Sequence, residues 1–290
     1  QELKEVSTIS SLRPLCVEEA RDGTKKFLFQ LEDGNHIESV LISDKARLTL
    51  CISTQVGCAL GCRFCLTGKK GWKRNLMVSE ILNQILAVRE TLENGSSITN
   101  VVLMGMGEPL ANYDNSLKAI ELMVHPEAFK LSSRKITLST AGLLPELERL
   151  SKEKIFLSLA ISLNASDEET RSHLMPVNRR YPLKRLLEVC RYLPLRPRTR
   201  ITFEYVLVGG INDKPLDAKR LLKLLRGIPS KINLIPLNEA PGIPFKRPSD
   251  EKVREFQEIL MKGGFTAIVR ASKGAEISAA CGQLQGKSSE

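Results

Sequence analysis

The stretch Asn100-Val101-Val102-Leu103-Met104-Gly105-Met106-Gly107-Glu108-Pro109 decides the fold. Four apolar side chains after Asn100 predict a short buried strand, and the Gly-Met-Gly-Glu-Pro run stops it in a turn. A helix is expected from Asp114 to about His125. An apolar strand that feeds a turn and then a helix is the unit of a parallel sheet covered by helices. The same unit recurs on both sides. Upstream, Ser79 can cap a helix reaching about Glu93, with Ile81, Leu82, Ile85, Leu86 and Leu92 on one side and Gly95 past its end. Downstream, strands are expected over residues 135–139, 155–162, 200–206, 231–235 and 266–269. Helices over residues 145–152, 182–192, 214–226 and 249–262 alternate with them.

Before these units lie two strands, residues 25–31 and 36–42, flanking the hairpin signal Asp33-Gly34, and a third over residues 47–53. The first 22 residues show no clear periodicity. Six to seven strand–helix units favour an α/β fold built as a partial (β/α)6 barrel, with a small N-terminal β extension. The expected division is residues 1–46 for the extension and residues 47–290 for the barrel and its C-terminal segment. The chain's 290 residues fit one such barrel with additions, since α/β barrels of roughly 200–250 residues fold as one domain.

In a parallel barrel the C-terminal strand ends face the active site. Here they read Gly105 to Pro109, Ser139-Thr140, Ser162-Leu163-Asn164, Pro236-Leu237-Asn238 and Arg270-Ala271-Ser272. Small and polar residues recur at that one end.

Composition narrows the class. Hydrophobic residues at 42% and charged residues at 26% exclude a disordered chain, a collagen and a coiled coil. No apolar run approaches the ~20 residues that span a bilayer, and no basic-then-apolar leader is seen; the chain begins at Gln1, as a processed product would. The expected location is the cytoplasm, without a membrane partner and as a monomer. Seven cysteines, an odd number with three of them crowded together, argue against an extracellular disulfide framework and for thiols that bind metal or react. A formal net charge of +10 points to a polyanion partner, RNA or DNA before membrane.

Cys58, Cys62 and Cys65 form C-x3-C-x2-C in Gly57-Cys58-Ala59-Leu60-Gly61-Cys62-Arg63-Phe64-Cys65. A structural zinc needs a fourth ligand, for which there is no second Cys pair, and His36, His125 and His173 are scattered. Ferredoxin runs use C-x2-C-x2-C with a fourth cysteine. Three thiolates on a four-iron cluster leave one iron open, and an open iron can chelate the amine and carboxylate of an amino acid.

This segment resembles the signature of the radical S-adenosylmethionine (SAM) superfamily. Residues 55–65 (QVGCALGCRFC), 104–113 (MGMGEPLANY), 233–238 (NLIPLN) and 279–284 (AACGQL) together resemble the RlmN family of dual-specificity 23S rRNA and tRNA adenine C2-methyltransferases. The likeness covers residues 25–286. It implies a radical-SAM barrel and an N-terminal helical accessory domain, of which this chain holds at most a remnant.

The resemblance also implies roles. Cys58, Cys62 and Cys65 would hold a [4Fe-4S] cluster. Gly107 and Glu108, with Gly105 beside them, would form the turn that receives SAM: glycine lets the backbone approach and a carboxylate suits an ammonium. Ser139, Ser162, Leu163, Asn164 and Asn238 match further SAM-binding positions, Asn164 standing where many relatives carry histidine. Cys281 matches the methyl-carrying cysteine, Cys51 the resolving cysteine and Glu38 the proton acceptor. Cys16 and Cys190 match nothing, and Cys190, among Leu186, Leu187, Val189 and Leu193, reads as core.

Adenine C2 is not nucleophilic, so the family implies a detour that uses two SAM molecules per turnover. One methylates Cys281. The second yields a 5′-deoxyadenosyl radical that activates the thioether methyl, which adds to C2. Cys51 then attacks the Cys281 sulfur and releases methylated RNA. The implied partners are 23S rRNA, tRNA and an electron donor such as flavodoxin. Lys69-Lys70-Gly71-Trp72-Lys73-Arg74 follows the cysteine loop and is expected to contact RNA, cations on phosphate and Trp72 on a base. Arg179-Arg180, Lys184-Arg185, Arg191, Arg196, Arg198, Arg200 and Lys246-Arg247 add positive charge. A Cfr-type C8-methyltransferase shares the cysteines and the chemistry, while a non-catalytic iron–sulfur or zinc RNA-binding module would need neither Cys51 nor Cys281.

Overall fold

The computed structural model describes residues 10–286 apart from residues 46, 94, 155 and 156. In chain order the strands are β1 (Pro14–Glu19), β2 (Lys25–Gln30), β3 (His36–Asp44), β4 (Arg47–Cys51), β5 (Gln55–Gly57), β6 (Trp72–Asn75), β7 (Asn100–Leu103), β8 (Ile136–Thr140), β9 (Ser158–Ser162), β10 (Ile201–Leu207), β11 (Ser230–Pro236) and β12 (Ala267–Val269). The α-helices are α1 (Leu66–Lys70), α2 (Val78–Glu90), α3 (Tyr113–Val124), α4 (Leu144–Leu150), α5 (Glu168–Leu174), α6 (Leu183–Tyr192), α7 (Pro215–Leu224) and α8 (Asp250–Lys262).

Ten strands form one sheet in the order β1-β2-β3-β4-β7-β8-β9-β10-β11-β12, and β5 pairs with β6 apart from it. β4 is the joint. It runs antiparallel to β3, with Cys51 opposite Val40, and parallel to β7, with Cys51 opposite Val102. From β4 through β12 every pairing in the large sheet is parallel. This is the open α/β barrel with an antiparallel extension that the strand–helix alternation predicts.

Side-chain alternation gives the barrel its two faces. On β10, Phe203, Tyr205 and Leu207 are buried, and Tyr205 meets Phe256 of α8 with ring centroids 5.3 Å apart. On β11, Ile232 and Leu234 are buried, while Lys231, Asn233 and Ile235 are only partly so. The latter face the barrel interior, where Asn233 Nδ2 donates to Glu204 Oε1 at 2.9 Å. Helices cover the outer face in packed pairs: α2 on α3, α4 on α6, and α7 on α8.

The structure revises several local expectations. β1 falls inside the first 22 residues; its alternation was hidden because Leu15 and Val17, 59% and 46% exposed, lie on the outer side of an edge strand. α2 starts at Val78, where Glu80 Oε2 accepts the Met77 N–H at 2.8 Å, so Ser79 sits within the first turn instead of capping it. The strand expected over residues 155–162 is seen as β9, and residues 155 and 156 lie outside the described residues. α1, α5 and the β5–β6 pair were not anticipated.

Candidate active site

The cysteine loop hangs between β5 and β6. Gly57 makes the turn possible: its φ is +76°, and a Cβ there would lie 1.8 Å from the Gly71 carbonyl oxygen, a position no other residue fits. Cys58 N–H donates to that same oxygen at 2.9 Å, and Cys65 N–H donates to Cys62 O at 3.1 Å. Two more bonds set the loop in place. Arg63 N–H donates to Leu174 O of α5 at 2.9 Å, and Leu66 N–H donates to Gly282 O at 2.7 Å. The second ties the cysteine loop to the residue after Cys281.

Cys58, Cys62, Cys65 and Cys281 line one cavity of about 180 Å³ at the C-terminal ends of the barrel strands. Gly105, Gly107 and Glu108 after β7, Ser139 of β8, Ser162 of β9, Asn164, and Asn238 after β11 line it too. Much of the Cys281 surface is exposed, and that surface faces this cavity. Asn238 Nδ2 donates to the Cys281 carbonyl at 3.1 Å. A second cavity, about 360 Å³, opens at the other end of the barrel. It is the larger, but it contains none of the cysteines, and the strand ends in a parallel barrel place the chemistry at the smaller one.

Gly107 has φ +100°, and a Cβ on it would come 2.6 Å from Gln55 Cβ. Gln55 Oε1 in turn accepts the Glu108 N–H at 2.8 Å. Glu108 is buried and accepts N–H bonds from Ala141 at 2.8 Å and Leu110 at 3.1 Å. Burial nevertheless dominates and pushes its carboxyl up to about 7. Asn164 adopts φ +57°, a left-handed conformation that asparagine tolerates. Its side chain is occupied: Oδ1 accepts the Val206 N–H at 2.8 Å and Nδ2 donates to Met175 Sδ at 3.2 Å.

Three predicted residues do not line the cavity. The Leu163 side chain is buried, and its carbonyl accepts from Arg171 Nε at 3.1 Å. Cys51 is buried at the end of β4. Burial raises its thiol, and the nearby Cys281 raises it further, so the two thiols lie within electrostatic reach of each other. Glu38 points at the C-terminal segment: its Oε2 accepts N–H bonds from Gln285 at 2.6 Å and Gly286 at 2.8 Å, and its Oε1 sits 3.5 Å from Lys26 Nζ.

The basic run expected to meet RNA is largely engaged within the protein. Lys69 Nζ donates to Gly242 O and Lys70 Nζ to Gln285 O, each at 2.7 Å; Lys73 Nζ donates to Asn35 Oδ1 at 3.0 Å; Arg74 pairs with Glu80 and Asp33. Trp72 is half exposed. Sequence reasoning missed Arg171, which is wholly buried. Its guanidinium donates to the carbonyls of Leu163, Ala141 and Ser162 and to Asn178 Oδ1, pinning the ends of β8 and β9. The signal available was the helix start Asp167-x-x-Thr170, whose Asp167 Oδ1 accepts the Thr170 N–H at 2.8 Å.

The three-cysteine donor set fits an iron–sulfur cluster. Burial pushes Cys58 up to about 12 and raises Cys62 strongly, so without a cationic centre these thiols stay protonated. Among the described residues, no group of three or more His, Cys, Asp or Glu side chains is arranged to hold a metal ion. A four-iron cluster makes a different demand, because its thiolates bind separate irons around one larger body.

The Radical SAM superfamily model matches residues 52–222. The dual-specificity RNA methyltransferase RlmN of Geobacter sulfurreducens is 53% identical over 287 residues, covering 99% of this chain and 78% of the relative. That of Syntrophobacter fumaroxidans is 55% identical over 276 residues, covering 95% and 80%. A radical SAM methyltransferase from Sphaerobacter thermophilus superposes with a TM-score of 0.95 at 44% identity, covering 99% of this chain and 84% of that one. The hydrogenase maturase HydG of Carboxydothermus hydrogenoformans shares the fold at 18% identity, with a TM-score of 0.53 over 79% of this chain and 55% of that one. The Cys58-Cys62-Cys65 loop lies within the matched superfamily region, and the relatives extend the likeness through Cys281; the chain belongs to the RlmN family of dual-specificity radical SAM RNA methyltransferases.

Proposed function

We propose that this enzyme methylates C2 of adenosine in 23S rRNA and in tRNA, with Cys281 as the carrier of the methyl group. Cys58, Cys62 and Cys65 would hold a [4Fe-4S] cluster, and Gly107, Glu108, Ser139, Ser162, Asn164 and Asn238 would surround SAM, with Leu163 buried behind them. When bound, those groups supply a methyl group from one SAM and one-electron hydrogen abstraction from a second, with the electron coming from a donor such as flavodoxin.

The observation that carries the reading is the position of Cys281. Its sulfur faces the same cavity as the three cluster cysteines and Glu108, and Cys51 lies within electrostatic reach behind it. A C2 carbon that is not nucleophilic cannot take a methyl by displacement, so a carbon donor fixed to the protein is required. Held at Cys281, the methyl carbon bonds to C2 and joins protein to RNA. The adduct then gives up the C2 proton and one electron, and the electron would return to the cluster. Cys51 Sγ, as thiolate, attacks Cys281 Sγ, the carbon–sulfur bond breaks, the released carbon takes up a proton, and methylated RNA leaves behind a Cys51–Cys281 disulfide. The barrel wall around the cavity keeps the Cys281 thiol up at about 11, although its surface is open to the cavity. Glu38, held by the C-terminal backbone, first fixes the segment that carries Cys281. If it is also the proton acceptor, as the family resemblance implies, it acts once that segment shifts.

Comparing Cys51→Ala with Cys281→Ala tests this. With labelled RNA and SAM under reducing anaerobic conditions, Cys51→Ala is expected to accumulate a nuclease- and protease-sensitive protein–RNA adduct, and Cys281→Ala to form none. Normal turnover by Cys51→Ala without an adduct would overturn the assignment.

A further inference from the structure

The barrel has a second mouth. At the N-terminal ends of β8 to β11 a cavity of about 360 Å³ is lined by Arg134, Arg196, Arg198, Arg200 and Lys231, with Glu153 the acidic side chain among its described lining residues. Five cations face one carboxylate, and that carboxylate accepts a hydrogen bond from Tyr113 Oη at 2.8 Å. Arg134, Arg198 and Lys231 take part in no ion pair among the described residues. Arg134, Arg198 and Arg200 are exposed, and with Arg196 and Lys231 they line a single concavity.

The loop that presents three of them is stiff. It reads Pro194-Leu195-Arg196-Pro197-Arg198-Thr199-Arg200, and each proline fixes its own φ. Thr199 closes a turn, its N–H donating to Arg196 O at 3.0 Å and its hydroxyl to the same oxygen at 2.6 Å. Arg198 is held at φ +65°, a conformation costly for a residue with a Cβ. Arg200 is anchored by a bond from Nη1 to Thr266 Oγ1 at 2.9 Å. Arg200, fixed before a ligand arrives, loses little side-chain entropy on binding it, and the stiff backbone limits where Arg198 can reach.

Resting on the function proposed above, we infer that this lower mouth is a phosphate-binding site that holds a backbone segment of the RNA substrate, remote from the reacting base. Guanidinium groups suit phosphate because their N–H fork matches its oxygens. The two mouths open at opposite ends of the barrel strands, so a short strand bound at one does not run straight through to the other. Arg200 stands just before β10 and Val206 near its end, Val206 lines the catalytic cavity, and six residues at about 3.3 Å each separate the two mouths by roughly 20 Å. An RNA must therefore present two separate segments to occupy both.

The test uses the cluster-loaded enzyme, a full tRNA transcript and a short single-stranded oligonucleotide carrying the target adenosine. Arg134→Gln, Arg198→Gln and Lys231→Gln are combined. A control neutralises Lys219, Lys223 and Arg254, exposed cations of α7 and α8. Losing three phosphate contacts at about 0.7–0.9 each should lower the log–log salt slope for the transcript by about 2. The dissociation constant at fixed salt should rise at least tenfold. The oligonucleotide should bind the variant as it binds the wild type, methylation at saturating transcript should keep its single-turnover rate, and the control should leave the slope unchanged. Lys231→Gln alone should give about one third of the slope change if the triple variant melts early. An unchanged slope, or an equal drop in the control, overturns the inference. So does a site that binds inorganic pyrophosphate while transcript affinity is indifferent to the three substitutions. Failure of the function proposed above would show separately, as wild-type enzyme that binds the transcript and does not methylate it.

Discussion

Glu108→Gln separates the electrostatic state of the site from its shape. The carboxyl is buried and takes N–H bonds from Ala141 and Leu110, yet burial raises it from an ordinary 4.5 to about 7. A carboxyl whose folded value lies above its unfolded value stabilises the protein fully below the unfolded value. That contribution is lost as pH rises through the folded value. At about 1.4 kcal/mol per pH unit, ionised Glu108 is roughly 3 kcal/mol worse placed in the folded protein than in the unfolded chain. Glutamine cannot ionise. Its oxygen keeps one of the two N–H bonds, a loss of about 1 kcal/mol that does not depend on pH.

Urea unfolding of the metal-free protein, followed by circular dichroism, should therefore show the variant gaining on the wild type by about 2–3 kcal/mol between pH 5 and pH 8. Burial also raises Glu38 and Glu204, but both proteins carry them and they cancel. The Cys58 and Cys281 thiols, up at about 12 and 11, stay protonated across this window. On the proposed role of Glu108, SAM binding should respond in the opposite sense, because an ionised carboxylate is the better acceptor for the N–H groups of the SAM amine. Affinity for the wild type should rise roughly tenfold from pH 6 to pH 8 as the ionised fraction climbs through a midpoint near 7. The variant should lack that rise. Parallel stability curves for the two proteins would refute the reasoning.

Arg171→Met should cost about 3–5 kcal/mol, since it strips donors from buried carbonyls of Leu163, Ala141 and Ser162; the urea midpoint measures it. Gly107→Ala should lose about 1–3 kcal/mol and weaken SAM binding, because the new Cβ must displace Gln55 at a backbone conformation costly for alanine; calorimetric melting and equilibrium dialysis read the two effects. Glu38→Ala should free Gln285 and Gly286 and leave Lys26 short of one carboxylate, so iodoacetamide should alkylate Cys281 several times faster than in the wild type. An unchanged alkylation rate would mean that the C-terminal segment is held without Glu38.

Elements that bury an apolar face were legible in the sequence, and those that serve the loops were not. β7, β8, β10 and β11 carry continuous or alternating apolar side chains because helices cover one face and the barrel interior lies on the other. α5 has seven residues and buries only Arg171 and Leu174, too few for a periodic signal. α1 is five residues long and exists because the cysteine loop folds around Gly57. The cysteines, the Gly107–Glu108 turn and the polar strand ends were readable because cofactor chemistry demands particular residue types at fixed spacing. The engagement of Lys69, Lys70, Lys73 and Arg74 was not, since each partner is a distant backbone oxygen or side chain that no local pattern announces.

The catalytic cavity is electrically unfinished in the protein alone. Burial opposes ionisation of Cys58, Cys62, Cys281 and Glu108, while Arg171, lowered to about 10 by the same burial, is met by neutral carbonyls and an amide instead of a carboxylate. The thiols stay neutral there and cost nothing as buried small hydrophobes, whereas Glu108 is unfavourable once it ionises and Arg171 carries its charge without a paired carboxylate among the described residues. On the proposed assignment the groups would fit together with positive charge among the thiols and the SAM amine at Glu108. A bound cluster and SAM would, on that assignment, let the thiols and the carboxyl ionise, and Arg171 would gain an anionic neighbour in Cys62, the largest favourable charge on it. Ligands that bind the folded site and not the unfolded chain would therefore couple loading of the site to the stability of the fold. The strap from Gln285 and Gly286 to Glu38, and the bond from Leu66 N–H to Gly282 O, carry that coupling to the segment that holds Cys281.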